Sequence, residues 1–466
     1  MRIPTAPLQL TWDPTNRCSA RCIHCYNASG ADEAEEDDDG LLEKTLASAL
    51  RARPLTMGIG GGDPLLFSGL ERIVETLHDT LGGHMPSLII GTNGFLLPKR
   101  LRLIRLVADI YRRAPFAVLF YVSLHGSTPE INDTVMAVKG AFDSIMSAAK
   151  LLREWDLPFG VGVTPLRVNA HDLDGIVEVA LKIGATCVNV SQFVPTGRGN
   201  ANLDLTPEGY RELTAWVANK NRELGRTYVL THEHYVAMVD DGAWVNDLFV
   251  GCTAGIYQLA VRPNGDIVPC PLLPVVVGNV RTDELTDVWE DSEVLAALRR
   301  RKVAAPCGSC ALKHKCGGCR SLAYAYTGDF LGPDTLCPYS KAEVREAVIA
   351  RRQAAAAVFD PVREGEAPTR SRIDRSDYRK IPNPYKKAFP NEIVVLDRFR
   401  SQLVSLTGDA SRLYEFIPDA GDHFASFPAL VARFRKACGR QPGQGELEAL
   451  VEAGLVELRD AACRSG

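Results

Sequence analysis

No stretch of this 466-residue chain approaches the ~18 consecutive apolar residues that span a bilayer, and the opening MRIPTAPLQL lacks the basic start and long apolar run of a secretory signal. Surplus charge is missing as well: 53 Lys and Arg face 57 Asp and Glu for a net of −4, without the basic excess of a general nucleic-acid binder. No Gly-Lys-Ser/Thr triplet occurs, so a P-loop is not supported. These absences predict a soluble cytoplasmic protein with neither membrane nor nucleic acid as its partner. A hydrophobic share of 46% excludes a disordered or fibrous chain, and the length suits roughly three domains of ~150 residues.

Cysteine, by contrast, is abundant and unevenly placed. Of 13, three are Cys18, Cys22 and Cys25, seven fall between Cys252 and Cys337, and Cys187, Cys438 and Cys463 stand alone. In a reducing compartment such crowding points to metal or cluster ligation rather than to disulfides.

From about residue 7 to 225, β-rich runs alternate with helix-length stretches. LQLTW at 8–12, TMGIG at 56–60, SLIIG at 87–91, FAVLFYVSL at 116–124, FGVGVT at 159–164 and CVNVSQF at 187–193 read as strands. Helices are predicted at 66–81, 98–112, 139–154, 172–184 and 207–224. Repetition at ~30 residues per unit predicts a parallel sheet with right-handed crossovers, and six units suit a partial (β/α)6 barrel with ligands at the C-terminal strand ends. From 250 to 340 the periodicity fades while Gly, Pro and Cys rise, the profile of a small domain held by metal rather than by a large apolar core. Residues 351–380 begin as helix, turn charged and poor in apolar side chains, and read as a linker. The last segment opens on the alternating run EIVVLDRFRSQLVSL, continues with helical patterns at 409–417, 427–438 and 445–453, and closes on LVEL at 455–458, the outline of a winged helix-turn-helix. The expected α/β chain therefore divides into residues 1–230, 231–350, the linker 351–380 and a final domain at 381–466.

Cys18, Cys22 and Cys25 follow directly on the first strand, in NRCSARCIHCYN. Three thiolates within eight residues can hold three corners of a [4Fe-4S] cube on one loop and leave the fourth iron open to an outside ligand. Half of a zinc site is the rival, with His24 the nearby fourth donor. Gly60-Gly61-Gly62-Asp63-Pro64 follows the second strand, Thr92-Asn93-Gly94 the third and Ser123-Leu124-His125-Gly126 the fourth. In that order, Cys-x3-Cys-x2-Cys and these strand-end motifs resemble the radical S-adenosylmethionine (SAM) superfamily. The resemblance implies that Cys18, Cys22 and Cys25 ligate a cluster whose unique iron chelates SAM, with Gly61, Gly62, Asp63, Asn93, Ser123 and His125 as SAM-contacting positions. Backbone bare of side chains at the glycines is expected to approach the methionine closely and to donate N–H groups to it. Asp63 stands where relatives more often carry Glu, His24 fills the aromatic position before the third cysteine, and His125 fills a frequent Asp position. Asn169 in VTPLRVN and the turn Pro195-Thr196-Gly197-Arg198 match relatives too, with a plain turn as the other explanation of both.

In the second set, Cys252 is followed by twelve residues, Gly265, four more residues and Cys270, then by Cys307-x2-Cys310-x5-Cys316-x2-Cys319 and Cys337. A zinc ribbon can use four of these. Their surroundings, Gly251-Cys252-Thr253-Ala254-Gly255, Pro263-Asn264-Gly265-Asp266 and Gly278-Asn279-Val280, resemble the SPASM extension of radical SAM enzymes, which carries auxiliary [4Fe-4S] clusters. The x2 spacing between Cys316 and Cys319 departs from the commoner x3. The resemblance implies two auxiliary [4Fe-4S] clusters, one ligated by Cys307, Cys310, Cys316 and Cys337, the other by Cys252, Cys270 and Cys319 with one corner unaccounted for.

Residues 381–460 resemble the PqqD-like recognition element that binds leader peptides of ribosomally made, modified peptides. Such a domain takes a peptide as an added strand at a sheet edge, here at residues 392–405. A DNA-binding winged helix is the rival, opposed by the acidic helix GQGELEALVEAG, and an inert packing domain is another. The acidic run at 31–40 reads as a solvated loop, the His232/His234 pair as ordinary polar surface and Cys187 as packing.

The functional expectation is a radical SAM peptide maturase that abstracts hydrogen from the core of a precursor peptide to give a thioether, a C–C crosslink or a related oxidative change. Its partners would be the precursor, leader and core, and an electron donor such as flavodoxin or ferredoxin. A cofactor or metalloenzyme maturase of the same family is the alternative. The sulfatase-type version is disfavoured because Pro271 follows Cys270, where those enzymes place an acidic base. A zinc-stabilised, non-catalytic peptide- or DNA-binding regulator is the alternative of another class.

Overall fold

Apolar residues at every second position make the strands, and their register lines the apolar positions up. The computed structural model describes residues 4–30, 39–82, 85–114, 117–225, 228–231, 234–239 and 250–358, and short strands beyond them. Six strands occupy the runs read from the sequence: β1 (Gln9–Trp12), β2 (Thr56–Ile59), β3 (Ser87–Thr92), β4 (Val118–Ser123), β5 (Phe159–Val163) and β6 (Val188–Val190). Leu10 pairs with Met57, Met57 with Leu88 and Leu88 with Val118, all fully buried. The other face is built small: Thr11, Gly58, Gly91 and Gly162 are half-buried, which leaves room on that side of the sheet.

Helices cover the apolar face. They are α1 (Asp39–Ala52), α2 (Leu70–Leu81), α3 (Leu101–Arg113), α4 (Pro129–Met136), α5 (Ala141–Glu154), α6 (Leu173–Ile183) and α7 (Pro207–Glu223). Each buries one stripe, as α3 does with Leu103, Ile104, Val107 and Ala108. Their ends obey local chemistry: Thr206 caps α7 by accepting from the Gly209 amide at 3.1 Å with Pro207 in the first turn, and left-handed Gly184 ends α6.

The sheet is larger than six strands. β7 (Val229–Thr231) adds parallel to β6, and β8 (Gln258–Val261) pairs parallel with β1 on its other side, followed by antiparallel β9 (Asp266–Val268) and β10 (Gly278–Asn279). The order β10-β9-β8-β1-β2-β3-β4-β5-β6-β7 leaves β10 and β7 as edges. The cysteine-rich region is thus continuous with the barrel sheet. It also has an apolar core, contrary to the sequence expectation: Leu259, Val261, Ile267, Leu285, Trp289, Leu295 and Leu298 are all buried. Three-residue strands and short helices, at Leu285–Asp291 and Glu293–Arg299, carry too little periodicity to be seen in the sequence.

Two compact units form, Met1–Val245 with Val250–Ile349 and Asn246–Phe249 with Ala350–Gly466. A helix at Lys341–Val358 and β11 (Ser376–Lys380) place regular structure at both ends of the segment read as a linker. In the second unit β12 (Lys386–Phe389), β13 (Glu392–Asp397) and β14 (Gln402–Thr407) form an antiparallel meander, and β11 lies between β15 (Ala425–Ser426) and β16 (Val456–Asp460). The hairpin and the closing strand fall where the alternating runs stand. The helical patterns at 409–417, 427–438 and 445–453, like the acidic residues 31–38, lie outside the described residues. Among the described residues no helix is long and apolar enough to cross a membrane.

Candidate active site

Parallel strands deliver Asp13, Gly60, Asn93, His125 and Thr164 to one edge of the sheet, and the first cysteine loop lies over that edge. The loop is held from below by the glycine turn. The amides of Gly60, Gly62 and Asp63 donate to the carbonyls of Trp12, Thr15 and Arg17 at 2.9, 2.8 and 2.8 Å. A Cβ on Gly62 would stand 2.0 Å from the Arg17 carbonyl oxygen, so no other residue fits against the loop. The amides of Gly62 and Asp63, expected from the sequence to serve a methionine, are in this structure committed to the cysteine loop. The Asp63 carboxylate is also turned away. It is fully buried, accepts from Leu65 N at 2.9 Å and from the Thr92 hydroxyl at 3.0 Å, and burial pushes its pKa up to about 6.

The thiols share a buried, hydrogen-bonded environment. Asn93 Nδ2 donates to Cys18 Sγ at 3.7 Å and to Ser19 Oγ at 3.0 Å, and the Ala20 amide donates to the same sulfur at 3.4 Å. Burial raises the Cys18 pKa to about 11 and that of Cys22 to about 12, where the charges of Cys18 and Cys25 add to the effect. A cation is what such a site needs before its thiols ionise. His24 faces inward: its ring centroid lies 4.5 Å from that of His125, its Nδ1 has no hydrogen-bond partner, and burial, then Arg198, pulls its pKa down to about 4. His125 is 4% exposed, accepts from the Thr164 amide on Nδ1 at 3.3 Å, and is likewise shifted well below its ordinary value by burial. Ser123 sits half-buried at the end of β4.

Three supports of this loop were not singled out as site residues by sequence reasoning. Arg198 donates through Nε to Cys22 O at 3.1 Å, through Nη1 to Ser29 O at 2.7 Å, and through its amide to Cys25 O at 2.9 Å. Buried Asp13 accepts from Tyr26 Oη and Asn27 Nδ2, both at 3.0 Å. Asn169 ties Leu166 N, Thr164 O and His125 O together. Arg198 and Asn169 lie in segments whose family likeness was visible, so the signal existed; Asp13 had none.

The remaining cysteines fall into two electrostatic groups. Cys319, fully buried, is raised first by burial and then by Cys252, with Cys270 contributing; Cys270, pushed up to about 12 by burial, again feels Cys252. Cys316 is raised by burial and by Cys337 and Cys307, and Cys337, at about 11, by burial and by Cys307 and Cys310. Every cysteine among the described residues is free of disulfides, and no three Cys, His, Asp or Glu side chains there converge as on a single metal ion. His234 corrects the surface reading: it is 2% exposed, its Nε2 lies 2.8 Å from Asp334 Oδ2, and the Cys319 amide donates to both groups, at 3.1 and 2.9 Å. Its partner His232 lies outside the described residues. Cys187 touches Tyr121 Oη at 3.3 Å, apart from every other thiol described here.

Comparison with known proteins agrees with this division. The radical SAM superfamily model matches residues 12–180, and the SPASM iron–sulfur cluster-binding domain matches residues 252–317. An AdoMet-dependent heme synthase of Methanosarcina barkeri is 29% identical over 353 residues, covering 72% of this chain and 97% of that protein. The mycofactocin maturase MftC of Mycolicibacterium smegmatis is 30% identical over 347 residues, covering 71% and 83%. The crystal structure of Streptococcus suis SuiB bound to precursor peptide SuiA superposes with a TM-score of 0.59 at 18% identity, over 72% of this chain and 77% of that one, a likeness of fold.

Proposed function

We propose that this chain, which belongs to the radical SAM superfamily and carries its SPASM iron–sulfur extension, is a peptide maturase that cleaves SAM reductively and takes a hydrogen from a ribosomally synthesised precursor. The observation that carries the reading is the loop of Cys18, Cys22 and Cys25 on a barrel edge, in one chain with a second, separate set of seven thiols. Its likeness to a mycofactocin maturase supports a peptide as substrate.

The residues fit the groups this requires. Cys18, Cys22 and Cys25 would hold three irons of a [4Fe-4S] cube, which when bound supplies the electron that splits SAM. The carbonyls of the Gly60–Gly62 turn would accept from the SAM ammonium, and Asn93 fixes the position of Cys18 by its amide. His24 and His125, kept neutral by burial, wall the site and exclude water from it. Cys307, Cys310, Cys316 and Cys337 would hold one auxiliary cube and Cys252, Cys270 and Cys319 another with an open corner; such cubes would take up the surplus electron, while a flavodoxin- or ferredoxin-like protein would donate the electron that starts the reaction. In the second unit, the β12-β13-β14 meander would receive the leader peptide as an added strand at residues 392–405, in the PqqD-like manner.

The likeness to a heme synthase over 97% of that protein favours one rival, a tetrapyrrole as substrate. Reconstituted protein given dithionite, SAM and either the neighbouring gene's short peptide or a porphyrin precursor separates them. The expected result is 5′-deoxyadenosine together with a mass change in the peptide; loss of carboxyl groups from the tetrapyrrole, with the peptide untouched, overturns the reading.

A further inference from the structure

Two arginines are buried beside the second cysteine set without an ion pair to any acid among the described residues. Arg301 and Arg320 are each 1% exposed. Arg301 donates to the carbonyls of Val250, Cys252 and Cys316, and Arg320 to those of Gly318, Phe330 and Gly332. Every hydrogen-bond partner of the two guanidiniums is thus a backbone carbonyl, and Arg301 Nε and Arg320 Nη2 are buried with no partner at all. Asp334 lies nearby, but its oxygens are taken by His234 and by the amides of Cys319 and Leu336. An uncompensated buried charge is strongly unfavourable, so a chain keeps one only where something negative offsets it.

The backbone is shaped around these side chains. Arg301 has φ of +49°, a left-handed conformation that a long side chain rarely adopts. Between Cys316 and Cys319 stand only Gly317 and Gly318, both left-handed. A Cβ on Gly317 would fall 1.5 Å from Arg301 Nη1, and one on Gly318 would fall 2.6 Å from Arg320 Nη2 and 3.1 Å from Cys307 Sγ. The two glycines between these cysteines therefore leave room for both guanidiniums, at the segment joining the two thiol groups. The charges of Cys252 and Cys316 also act on Arg301, opposing the downward pull of burial on its pKa.

We propose that Arg301 and Arg320 set the reduction potentials of the auxiliary clusters, making them better electron acceptors. The inference rests on these cysteines holding iron–sulfur clusters. A cube ligated by thiolates is anionic and gains one further negative charge on reduction, so fixed positive charge in a dry surrounding stabilises the reduced form and raises the potential. The two arginines are positioning residues for electrons; neither ligates iron nor touches substrate.

The test uses the full chain carrying Cys18→Ala, Cys22→Ala and Cys25→Ala, so that only auxiliary clusters titrate. Iron and sulfide content is measured first; a protein without iron at these positions overturns the cluster reading itself before any potential is recorded. A redox titration followed by electron paramagnetic resonance then compares Arg301→Gln, Arg320→Gln and Arg301→Lys. The expected result is a shift of an auxiliary midpoint to more negative values in the Gln variants at unchanged iron content, with Arg301→Lys closer to the parent. Parent-like midpoints in both Gln variants overturn the proposal. Should Arg301→Gln fail to assemble its clusters, Arg320→Gln carries the test, and an unchanged midpoint there overturns it equally.

Discussion

The carbonyl oxygen of Arg17 occupies the place where any side chain on Gly62 would begin, 2.0 Å from the ideal Cβ position. The glycine turn and the cysteine loop are thereby locked backbone to backbone. Gly62→Ala must push them apart, with an expected destabilisation on the order of 3 kcal/mol and loss of iron from the first loop. Gly162→Ala is the control, since its Cβ would meet nothing within 4 Å, and its stability should stay within about 0.5 kcal/mol of the parent. Denaturant unfolding and iron content read both, and equal behaviour of the two variants refutes the lock.

The strands, the strand-end motifs and the cysteine sets were legible because each is a local pattern: alternation marks β1 to β6, and spacing marks the cysteine groups. What escaped depends on residues far apart in sequence. Nothing near Asp13 announces that Tyr26 and Asn27 will close on it, and Arg301 looks like any residue of the run RRRK until Gly317 is seen to leave room for it. His234 reads as surface because its partner, Asp334, is a hundred residues away.

Asp63 makes stability depend on pH. Burial holds its folded pKa up to about 6, above the ordinary 3.8, so the folded state binds the proton more tightly than the unfolded chain. Its contribution is full below pH 3.8 and is lost as pH rises through about 6. Relative to Asp63→Asn, the parent should lose about 2 kcal/mol between pH 4 and pH 7, by the linkage of 1.36 kcal/mol per pKa unit. Unfolding curves of both proteins across that range decide it, and a constant difference rejects the assignment.

Gly317 and Arg301 should be thermodynamically coupled. Gly317→Ala alone brings a Cβ within 1.5 Å of the guanidinium and should cost more than about 2 kcal/mol. In an Arg301→Ala background only the left-handed strain remains, roughly 1 kcal/mol. A double-mutant cycle measures the difference, and additive effects would show that the two residues do not meet.

Removing the thiols of the first loop should separate two kinds of iron. The chain is expected to bind about twelve irons as three cubes, and the triple variant Cys18→Ala, Cys22→Ala, Cys25→Ala should keep about eight while releasing no 5′-deoxyadenosine under dithionite. Iron analysis with chromatography of the products checks both. Retained SAM cleavage would place the SAM-binding iron elsewhere.

The second unit should govern affinity for the leader and leave the first unit's chemistry intact. Deleting 381–466 is expected to weaken precursor binding at least ~10-fold, because a tethered leader raises the local concentration of the core toward the millimolar range, while binding of a leader-free core peptide stays unchanged. The edge itself can be probed by proline along Gln402–Thr407, which pairs on one side with β13. Successive amides of a strand point to opposite sides, so of two neighbouring prolines one breaks the β13 ladder and the other removes a donor only from the edge that no described strand pairs with. Titration of a labelled leader against such a pair should show the edge-facing proline abolishing binding in a protein whose unfolding is unchanged. If the leader binds both variants as it binds the parent, strand addition at β14 is excluded.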